Sequence, residues 1–210
     1  MKLTNVIKEK ALIHAKQEAP RESVGLVHIV KGRERYFPCR NLADEPNLHF
    51  CLDPNDYLKC EKQGQIVAVI HSHPTTNPQP SEPDKVACER NKLPWFIVNP
   101  NTEKWGYYEP SGFKLPYVGR QWAHGIIDCY TLWKDWYKGE LNIEMSEYNR
   151  QDYWWNKGEN LYIDNFKNEG MREVRIEDIQ YGDIILMNIE SPVPNHAAIY
   201  LGEGNQILHH

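Results

Sequence analysis

The sequence predicts an α/β domain followed by an α+β domain. Helix and strand patterns alternate through the first half, whereas in the second half a helix precedes a run of strands. Between the halves lies the stretch EPSGFKLP, residues 109–116, which proline and glycine punctuate and which no hydrophobic periodicity crosses. We therefore expect one domain over residues 1–110 and a second over residues 117–210.

The elements of the first half follow from local patterns. Ile7, Ala11 and Ala15 recur at four-residue spacing, which indicates a helix over residues 4–18 that Pro20 ends. Asp53 followed by Pro54 is typical of a helix start, and Gly64 marks its end. A short further helix is expected near Ser81. The predicted strands cover residues 23–30, 35–39, 65–71, 95–98 and 104–108.

The second half is less regular. A helical pattern begins at Cys129 and runs to Tyr137, and strands are predicted over residues 183–187, 197–201 and 206–209. Residues 138–170 are polar and aromatic and fit no element. Their tryptophans and tyrosines could line a substrate cleft or simply pack, and packing is favoured because large aromatic side chains are mostly buried.

Composition excludes several classes of protein. The chain has 210 residues with 40% hydrophobic and 25% charged residues, and its net charge is −5. This acidic balance argues against nucleic-acid binding, and the longest apolar stretches, such as residues 66–70, are too short to cross a bilayer. Five cysteines without close pairing indicate a reducing compartment rather than a disulfide scaffold. The N-terminus carries no apolar run of signal-peptide length, so we expect no signal peptide.

A metal site is predicted around residues 71–84. His71 and His73, two apart at the end of an apolar strand, can point the same way, and Asp84 in the first turn of the next helix can reach the same point. Two imidazoles and one carboxylate suit Zn²⁺ and leave a fourth position for water, as in catalytic zinc sites. Water activated there needs a proton acceptor, and Glu22, just before the first strand, could lie across the sheet from His71.

Each of these residues also has an ordinary structural explanation. Two histidines two apart occur by chance at strand ends. Ser81 and Asp84 together form a variant of the helix capping box, which would account for both. Glu22 alone would be a surface charge. The combination is more specific than its parts.

The whole pattern resembles the JAMM (MPN-type) metallopeptidases. Their signature of His-x-His, seven residues, Ser, two residues and Asp is matched by His71, His73, Ser81 and Asp84, and the stretch ESVGL from Glu22 resembles the upstream glutamate segment. The resemblance covers about residues 1–110 and implies a mixed sheet flanked by helices. It further implies zinc on the two histidines and the aspartate, Glu22 as general base, and Ser81 as a stabiliser of the oxyanion.

A thiol nucleophile is predicted at Cys129. Asp128 can cap the helix that follows, and a cysteine in the first turn of a helix is favoured as thiolate. The base must come from downstream, where the histidines are His196, His209 and His210. His196 and His209 lie on successive predicted strands and can be neighbours in a hairpin. Considered singly, Cys129 fits a buried structural thiol and the last two histidines fit a frayed terminus.

Residues 117–210 resemble the NlpC-type cell-wall peptidases, which are papain-like. The resemblance depends on Tyr117 twelve residues before Cys129, on YGDII at residues 181–185, and on HAAIYLG from His196 followed by ILH to His209. It implies Cys129 as nucleophile, His196 as base, His209 as the orienting group and Tyr117 near the oxyanion site. The usual Asp-Cys-Ser-Gly is here Asp-Cys-Tyr-Thr, and the chain stops one residue after His209, which suggests a fold truncated at its C-terminus.

The order of the two halves resembles a family of tail tip assembly proteins from lambda-like phages. That resemblance implies a protein of the host cytoplasm during assembly and then of the virion tail, with other tail tip proteins and peptidoglycan peptides as partners. It implies no nucleic acid and no membrane insertion. Cleavage of peptidoglycan stem peptides is expected of the cysteine half. The alternatives are a structural tail-assembly factor with inert peptidase folds and a cellular JAMM isopeptidase.

Overall fold

A computed structural model describes the chain from Met1 to His210, apart from the side chain of Glu203. The chain divides into two compact units, Met1–Lys114 and Leu115–His210. Among the described helices, none combines the length and the apolar character that crossing a bilayer requires.

The first unit is a five-stranded mixed sheet with helices on both faces. The strand order is β2-β1-β3-β4-β5, in which β3 and β4 are parallel and the other neighbours antiparallel. The strands are β1 (Val24–Val30), β2 (Arg33–Cys39), β3 (Gln65–Ser72), β4 (Trp95–Val98) and β5 (Trp105–Tyr108). The helices are α1 (Asn5–Glu18), α2 (Pro54–Gln63) and α3 (Glu82–Asn91).

The predicted helix starts of this unit are confirmed. The Asp53 side chain accepts a hydrogen bond from the backbone of Asn55, with Pro54 in the first turn of α2. At α3 the Ser81 and Asp84 side chains form a complete capping box. These contacts satisfy backbone N–H groups that a helix N-terminus otherwise leaves unpaired.

Two hydrophobic clusters cover the two faces of this sheet. On one face α1 buries Ile7 and Ala11 against Val27 and Ile70. On the other face the residues packed together are Val24, Leu26, Cys39, Cys60 of α2, Val69, Cys88 of α3 and Trp95. Because side chains alternate along a strand, every second residue of β3 faces α3, and this is the face on which the first candidate site lies.

A glycine in β1 admits a close contact beneath α1. A Cβ built on Gly25 would lie 2.3 Å from the hydroxyl oxygen of Tyr36 on β2, so no side chain fits there. The same hydroxyl lies 2.8 Å from His14 Nδ1 on α1. The small residue in the ESVGL stretch therefore lets the tyrosine tie the helix to the sheet.

The second unit contains a helix, a short helix and a three-stranded antiparallel sheet. Helix α4 (Cys129–Trp136) continues as a π-helical turn over Tyr137–Leu141, and α5 spans Leu161–Asn165. The sheet has the order β6-β7-β8, with β6 (Ile184–Met187), β7 (His196–Tyr200) and β8 (Ile207–Leu208).

Aromatic side chains form most of the core of this unit. Buried rings from α4, α5 and the intervening chain pack against β7, and they belong to Tyr130, Trp133, Trp136, Tyr137, Trp154 and Tyr162. Within the 138–170 stretch, Trp154 and Tyr162 are buried as the preference for packing predicts, whereas Tyr153 is exposed. Strand β8 is shorter than the predicted 206–209, because its only ladder partners are Ile199 and Tyr200, and His209 lies beyond it.

Candidate active sites

Three ligand-type side chains meet at the C-terminal end of β3. His71 Nε2 lies 3.1 Å from His73 Nε2 and 3.1 Å from Asp84 Oδ1. His73 Nε2 lies 3.4 Å from Asp84 Oδ2, and the candidate ligand atoms of the three residues lie within 4.8 Å of one another. The structure thus brings together the three residues that the sequence predicted as metal ligands.

Sheet geometry and the following loop orient the two histidines. His71 is two residues after Val69 and shares its face of the sheet, towards α3. His73 Nδ1 lies 2.9 Å from the backbone carbonyl of Asn77, so Nδ1 carries the proton and donates it. This leaves the Nε2 lone pair of His73 directed at the cluster, the usual arrangement for an imidazole ligand.

Aromatic rings hold His71 in place. Its ring centroid lies 4.9 Å from that of Phe50 and 5.3 Å from that of Trp95, and the side chain is fully buried. His71 Nδ1 has no hydrogen-bond partner among the described residues. The ring is therefore positioned by packing, whereas His73 is positioned by a hydrogen bond.

Asp84 serves two purposes. Its Oδ2 accepts hydrogen bonds from the backbone N–H and the hydroxyl of Ser81, both at 2.7 Å, while Oδ1 faces His71. Burial by itself would raise the pKa of Asp84, but His71, His73 and Ser81 hold it well below its usual range. The carboxylate is thus ionised at the centre of the cluster, and the hydroxyl of Ser81 points at it.

Glu22 lies beside this cluster. It precedes β1, where Val24 pairs with His71, and its side chain is buried. Burial raises the pKa of Glu22, and the nearby His71 and His73 oppose that rise. The structure therefore places a carboxyl group with increased basicity within electrostatic reach of both histidines.

The donor set fits a zinc ion. Two neutral imidazole nitrogens and one carboxylate oxygen are ligands that zinc takes in proteins. Although burial lowers it, contacts with Asp84 and Asn77 hold the pKa of His73 above its usual value, so the cluster favours positive charge at its centre. A cation bound by the converging Nε2 atoms would supply that charge.

Cys129 lies at the first position of α4. Its sulfur lies 3.2 Å from the hydroxyl of Tyr162 and 3.9 Å from the backbone carbonyl of Asn195. In the described part of the chain, His196 is not among the hydrogen-bond partners of this sulfur. Burial raises the pKa of Cys129, although the hydroxyl of Tyr162 and the backbone N–H of Ala197 work against the rise.

A buried ion pair supports the start of α4. The Asp128 carboxylate accepts hydrogen bonds from Arg150 Nε at 3.0 Å and from the backbone of Thr131 and Gly125, both at 2.9 Å. The side chains of Asp128 and Arg150 are only 3% and 4% exposed. The guanidinium also lies 4.7 Å from the ring centroid of Tyr130. The cap predicted at Asp128 is confirmed, and Arg150 is an unpredicted partner of it.

The two predicted histidines of this unit are neighbours. His196 Nε2 lies 3.4 Å from His209 Nδ1, and their ring centroids are 5.5 Å apart. Burial lowers the pKa of His196, and His209 adds to this effect. His196 is therefore a neutral imidazole near neutral pH, as a general base requires.

Tyr117 lies away from Cys129. Its hydroxyl is close to Gly139, where an added Cβ would lie 2.0 Å from it, and Glu140 accepts its hydrogen bond. Gly139 follows Cys129 by ten residues, which is about 15 Å along a helix. The tyrosine hydroxyl that contacts Cys129 belongs to Tyr162 instead.

Comparisons with known proteins agree with this division of sites. Residues 5–108 match the family described as prokaryotic homologs of the JAB domain, and residues 110–210 match the NlpC/P60 family. The tail tip assembly protein K of Escherichia phage N15 is 41% identical over 204 residues, covering 95% of this chain and 82% of that protein. Its namesake from Escherichia phage lambda is 42% identical over 161 residues, 76% of each chain.

The chain belongs to the tail tip assembly protein K family. Both resemblances inferred from the sequence, and the fold class, are thereby confirmed. A third relative, from Thermus thermophilus, is 33% identical over 94 residues, 42% of this chain and 63% of that protein. The name of that relative describes cleavage of TtuB-protein conjugates.

Several residues of these sites were missed by the sequence analysis of this family member. Phe50, Asn77, Arg150 and Tyr162 each contact a predicted site residue. They lie in loops or in the stretch of residues 138–170, where no periodicity predicted their position. The sequence predicts the cap at Asp128 but not which cation pairs with it. Arg150 is 22 residues away in the chain, so only the structure shows that it is the partner.

Proposed function

We propose that this chain is a tail tip assembly protein with two hydrolytic centres, the first a zinc-dependent amide hydrolase. The observation that carries this proposal is the convergence of His71, His73 and Asp84 beside a buried Glu22. When bound, zinc at such a site acts as a Lewis acid towards a carbonyl oxygen and lowers the pKa of water towards neutrality.

The side chains around the cluster divide the remaining work. The raised pKa of Glu22 suits it to accept a proton from water and return it to the leaving amine. The Ser81 hydroxyl, which donates to Asp84, is the candidate donor to an oxyanion. His73 is kept in the ligand tautomer by the carbonyl of Asn77.

Metal analysis of the full chain tests this centre. We expect about one zinc per wild-type chain, as for a three-ligand site. The double variant His71→Ala, His73→Ala should hold none. The control is His14→Ala, which removes a histidine of α1 that contacts Tyr36 of β2, and it should keep the metal. Folded wild type that contains no zinc after purification without chelator would remove this half of the proposal.

The second centre is proposed as a cysteine peptidase acting on peptidoglycan stem peptides. Cys129 at the capped start of α4 is the nucleophile, His196 is the base, and His209 orients it. Support comes from the adjacency of Cys129 to the backbone on both sides of His196, at Asn195 and Ala197. Attack requires the His196 imidazole to come within hydrogen-bond reach of the sulfur, a tightening that many free enzymes undergo when substrate binds.

Digestion of purified sacculi tests the second centre. Wild type should release muropeptides and Cys129→Ala should release none, while Cys51→Ala, which removes an exposed thiol of the other unit, should behave as wild type. Wild type and Cys129→Ala leaving sacculi equally intact would favour the structural alternative. One observation favours that alternative for this unit: the sulfur is buried, and in the described part of the chain His196 is not among its hydrogen-bond partners.

The biological setting is proposed from the relatives. Tail tip assembly implies other tail proteins as partners, the host cytoplasm as the place of assembly, and the virion tail as the destination. A cellular isopeptidase is the less favoured reading, because the relative whose name describes conjugate cleavage matches only 42% of this chain. Pull-down of tail proteins from infected cells tests this setting, with the double histidine variant and Cys129→Ala compared with wild type. Variants that still bind tail proteins would show that assembly does not depend on hydrolysis.

A further inference from the structure

Tyr162 contacts the sulfur of the candidate nucleophile. Its hydroxyl oxygen lies 3.2 Å from Cys129 Sγ, and both residues are buried, with 7% and 4% of their surfaces exposed. A hydrogen bond in such a dry environment is stronger than the same bond in water. The contact joins the first turn of α5 to the first turn of α4.

The ring of Tyr162 has little freedom. Its centroid lies 5.8 Å from that of Trp154 and 6.2 Å from those of Tyr130 and Trp133. Tyr162 and Arg150 both line a cavity of about 20 Å³, which can hold one water. Because aromatic neighbours fix the ring, the direction of its hydroxyl is fixed as well.

The phenol can only donate to a thiolate. Burial, and next to it the proximity of Cys129, raises the pKa of Tyr162 well above the usual value, so the group stays protonated and cannot act as a base. The thiol form of Cys129 can instead donate to the carbonyl of Asn195. Loss of that proton leaves the sulfur as an acceptor facing the Tyr162 O–H group.

We propose that Tyr162 is a catalytic residue of the second centre, a hydrogen-bond donor to the Cys129 sulfur that stabilises its thiolate form. This inference rests on the proposed role of Cys129 as nucleophile. Tyr162 is distinct from Tyr117, which the sequence resemblance assigned to the oxyanion site and whose hydroxyl lies close to Gly139 and donates to Glu140.

Other charged groups face the same sulfur. Asp128 at the N-cap of the same helix disfavours the thiolate, Arg150 from the loop before α5 favours it, and the N–H of Ala197 on β7 donates to it. His196 lies next in sequence to Asn195 and Ala197. These groups are unchanged when the Tyr162 hydroxyl is removed, so that substitution isolates the phenol.

The test is the pH dependence of alkylation by iodoacetamide, followed at the Cys129 peptide by mass spectrometry in the full chain. Thiolate is the reacting form, so the midpoint of the rate profile reports the pKa of the thiol and the plateau reports its accessibility. In Tyr162→Phe we expect the midpoint to rise by about one unit, which slows alkylation about tenfold below the midpoint. Cys51, exposed and read in the same sample, should keep its profile.

Two further proteins make the result decisive. Tyr148→Phe is the matched control, because its hydroxyl borders the same cavity but donates to Glu169, and it should leave the midpoint in place. Replacement of Tyr162 by 3-fluorotyrosine gives a more acidic phenol that keeps the fold, and it should lower the midpoint.

An unchanged or lowered midpoint in Tyr162→Phe, an equal rise in Tyr148→Phe, or a rise with fluorotyrosine would each overturn the inference. Because alkylation needs no substrate, it reports the effect of Tyr162 on the Cys129 thiol separately from hydrolysis. Failure of sacculus digestion alone would contradict the hydrolase proposal, whereas an unchanged alkylation midpoint in Tyr162→Phe would contradict this inference alone.

Discussion

Helices α3 and α4 both begin with a capping box, and each box lies at one of the two candidate sites. At α3 the N3 residue of the box, Asp84, is itself the carboxylate that faces the two histidines. At α4 the first residue, Asp128, supports the helix start while the reactive group is the neighbouring Cys129. The capping box at α3 therefore contributes a candidate metal ligand, whereas the capping box at α4 stabilises the helix start that carries the candidate nucleophile.

The two sites also differ in what holds them. The first is built on the end of a regular strand, the loop that follows it and a regular helix, and its polar atoms already converge on one point. The second depends on Arg150, which lies in a loop, and on Tyr162 of the short helix α5, both from the stretch between α4 and β6 that carries no clear sequence period. We infer that the first site is determined by local sequence spacing, and the second by contacts across an irregular segment.

Removing Arg150 is the strongest test of that difference. In Arg150→Met the carboxylate of Asp128 stays buried without its cation, which costs about 3–5 kcal/mol for a buried pair. Hydrogen exchange measures this loss: the free energy of opening at the backbone amides of α4 should fall by that amount. The first unit's helix α3 should keep its protection.

Arg175→Met is the matched control for that substitution. Arg175 pairs with Asp178 and Glu177 at the surface, with most of its side chain exposed, so it should cost no more than about 1 kcal/mol. Equal effects of the two variants would show that the buried pair does not hold the second site together.

The next test acts on the first site from a distance. A Cβ on Gly106 of β5 would lie 1.7 Å from the backbone oxygen of Pro78, so Gly106→Ala must displace the loop whose Asn77 carbonyl holds His73. Loss of such outer contacts typically weakens metal binding about 10- to 100-fold. Zinc competition against a chromophoric chelator measures this.

Gly32→Ala provides the comparison for Gly106→Ala. Gly32 has a positive φ but nothing within 4 Å of an added Cβ, and it lies in the β1–β2 turn. Zinc affinity should be unchanged there, although the turn is strained. If folded Gly106→Ala binds zinc as tightly as wild type, the loop does not position the ligand.

These contrasts explain what the sequence could and could not predict. The metal ligands lie within fourteen residues of one another on two predictable elements, so spacing and alternation were enough to bring them together. Arg150 and Tyr162 lie twenty or more residues from the groups they contact, in a segment without helical or strand period. Tyr117 shows the same limit: the resemblance placed it near the oxyanion site, whereas in the structure its hydroxyl lies close to Gly139 and donates to Glu140.

Acidification sharpens the contrast between the two caps. Burial would raise the pKa of Asp128, but Arg150 and the backbone donors lower it below its unfolded value, near 4. A depressed carboxyl pKa contributes stability that is present above the unfolded pKa and lost as pH falls through the folded one. We therefore expect the protection of α4 to decline below about pH 4.

Asp128→Asn identifies the source of that decline. Asparagine still caps a helix but cannot ionise, so the difference in α4 protection between wild type and this variant should shrink as pH falls. A difference that stays constant through the acid range would show that Asp128 is not the titrating group.

The smallest expected effect concerns Ser81 and decides what its hydroxyl does. That hydroxyl donates to Asp84 and accepts from the backbone N–H of Asp84, so Ser81→Ala should cost about 1 kcal/mol of unfolding free energy, as for other caps. Ser81→Thr keeps the hydroxyl and should cost less. Zinc content should be unchanged in both, because the ligand atoms are elsewhere.

A role limited to capping predicts that amide hydrolysis by Ser81→Ala falls only as far as its folded fraction falls. A hydroxyl that also binds the oxyanion predicts a further loss of about 10²- to 10³-fold in turnover, restored by threonine. Urea unfolding and turnover measured on the same preparations separate these two roles. They show whether Ser81 only caps α3 and holds Asp84, or also takes part in the hydrolysis.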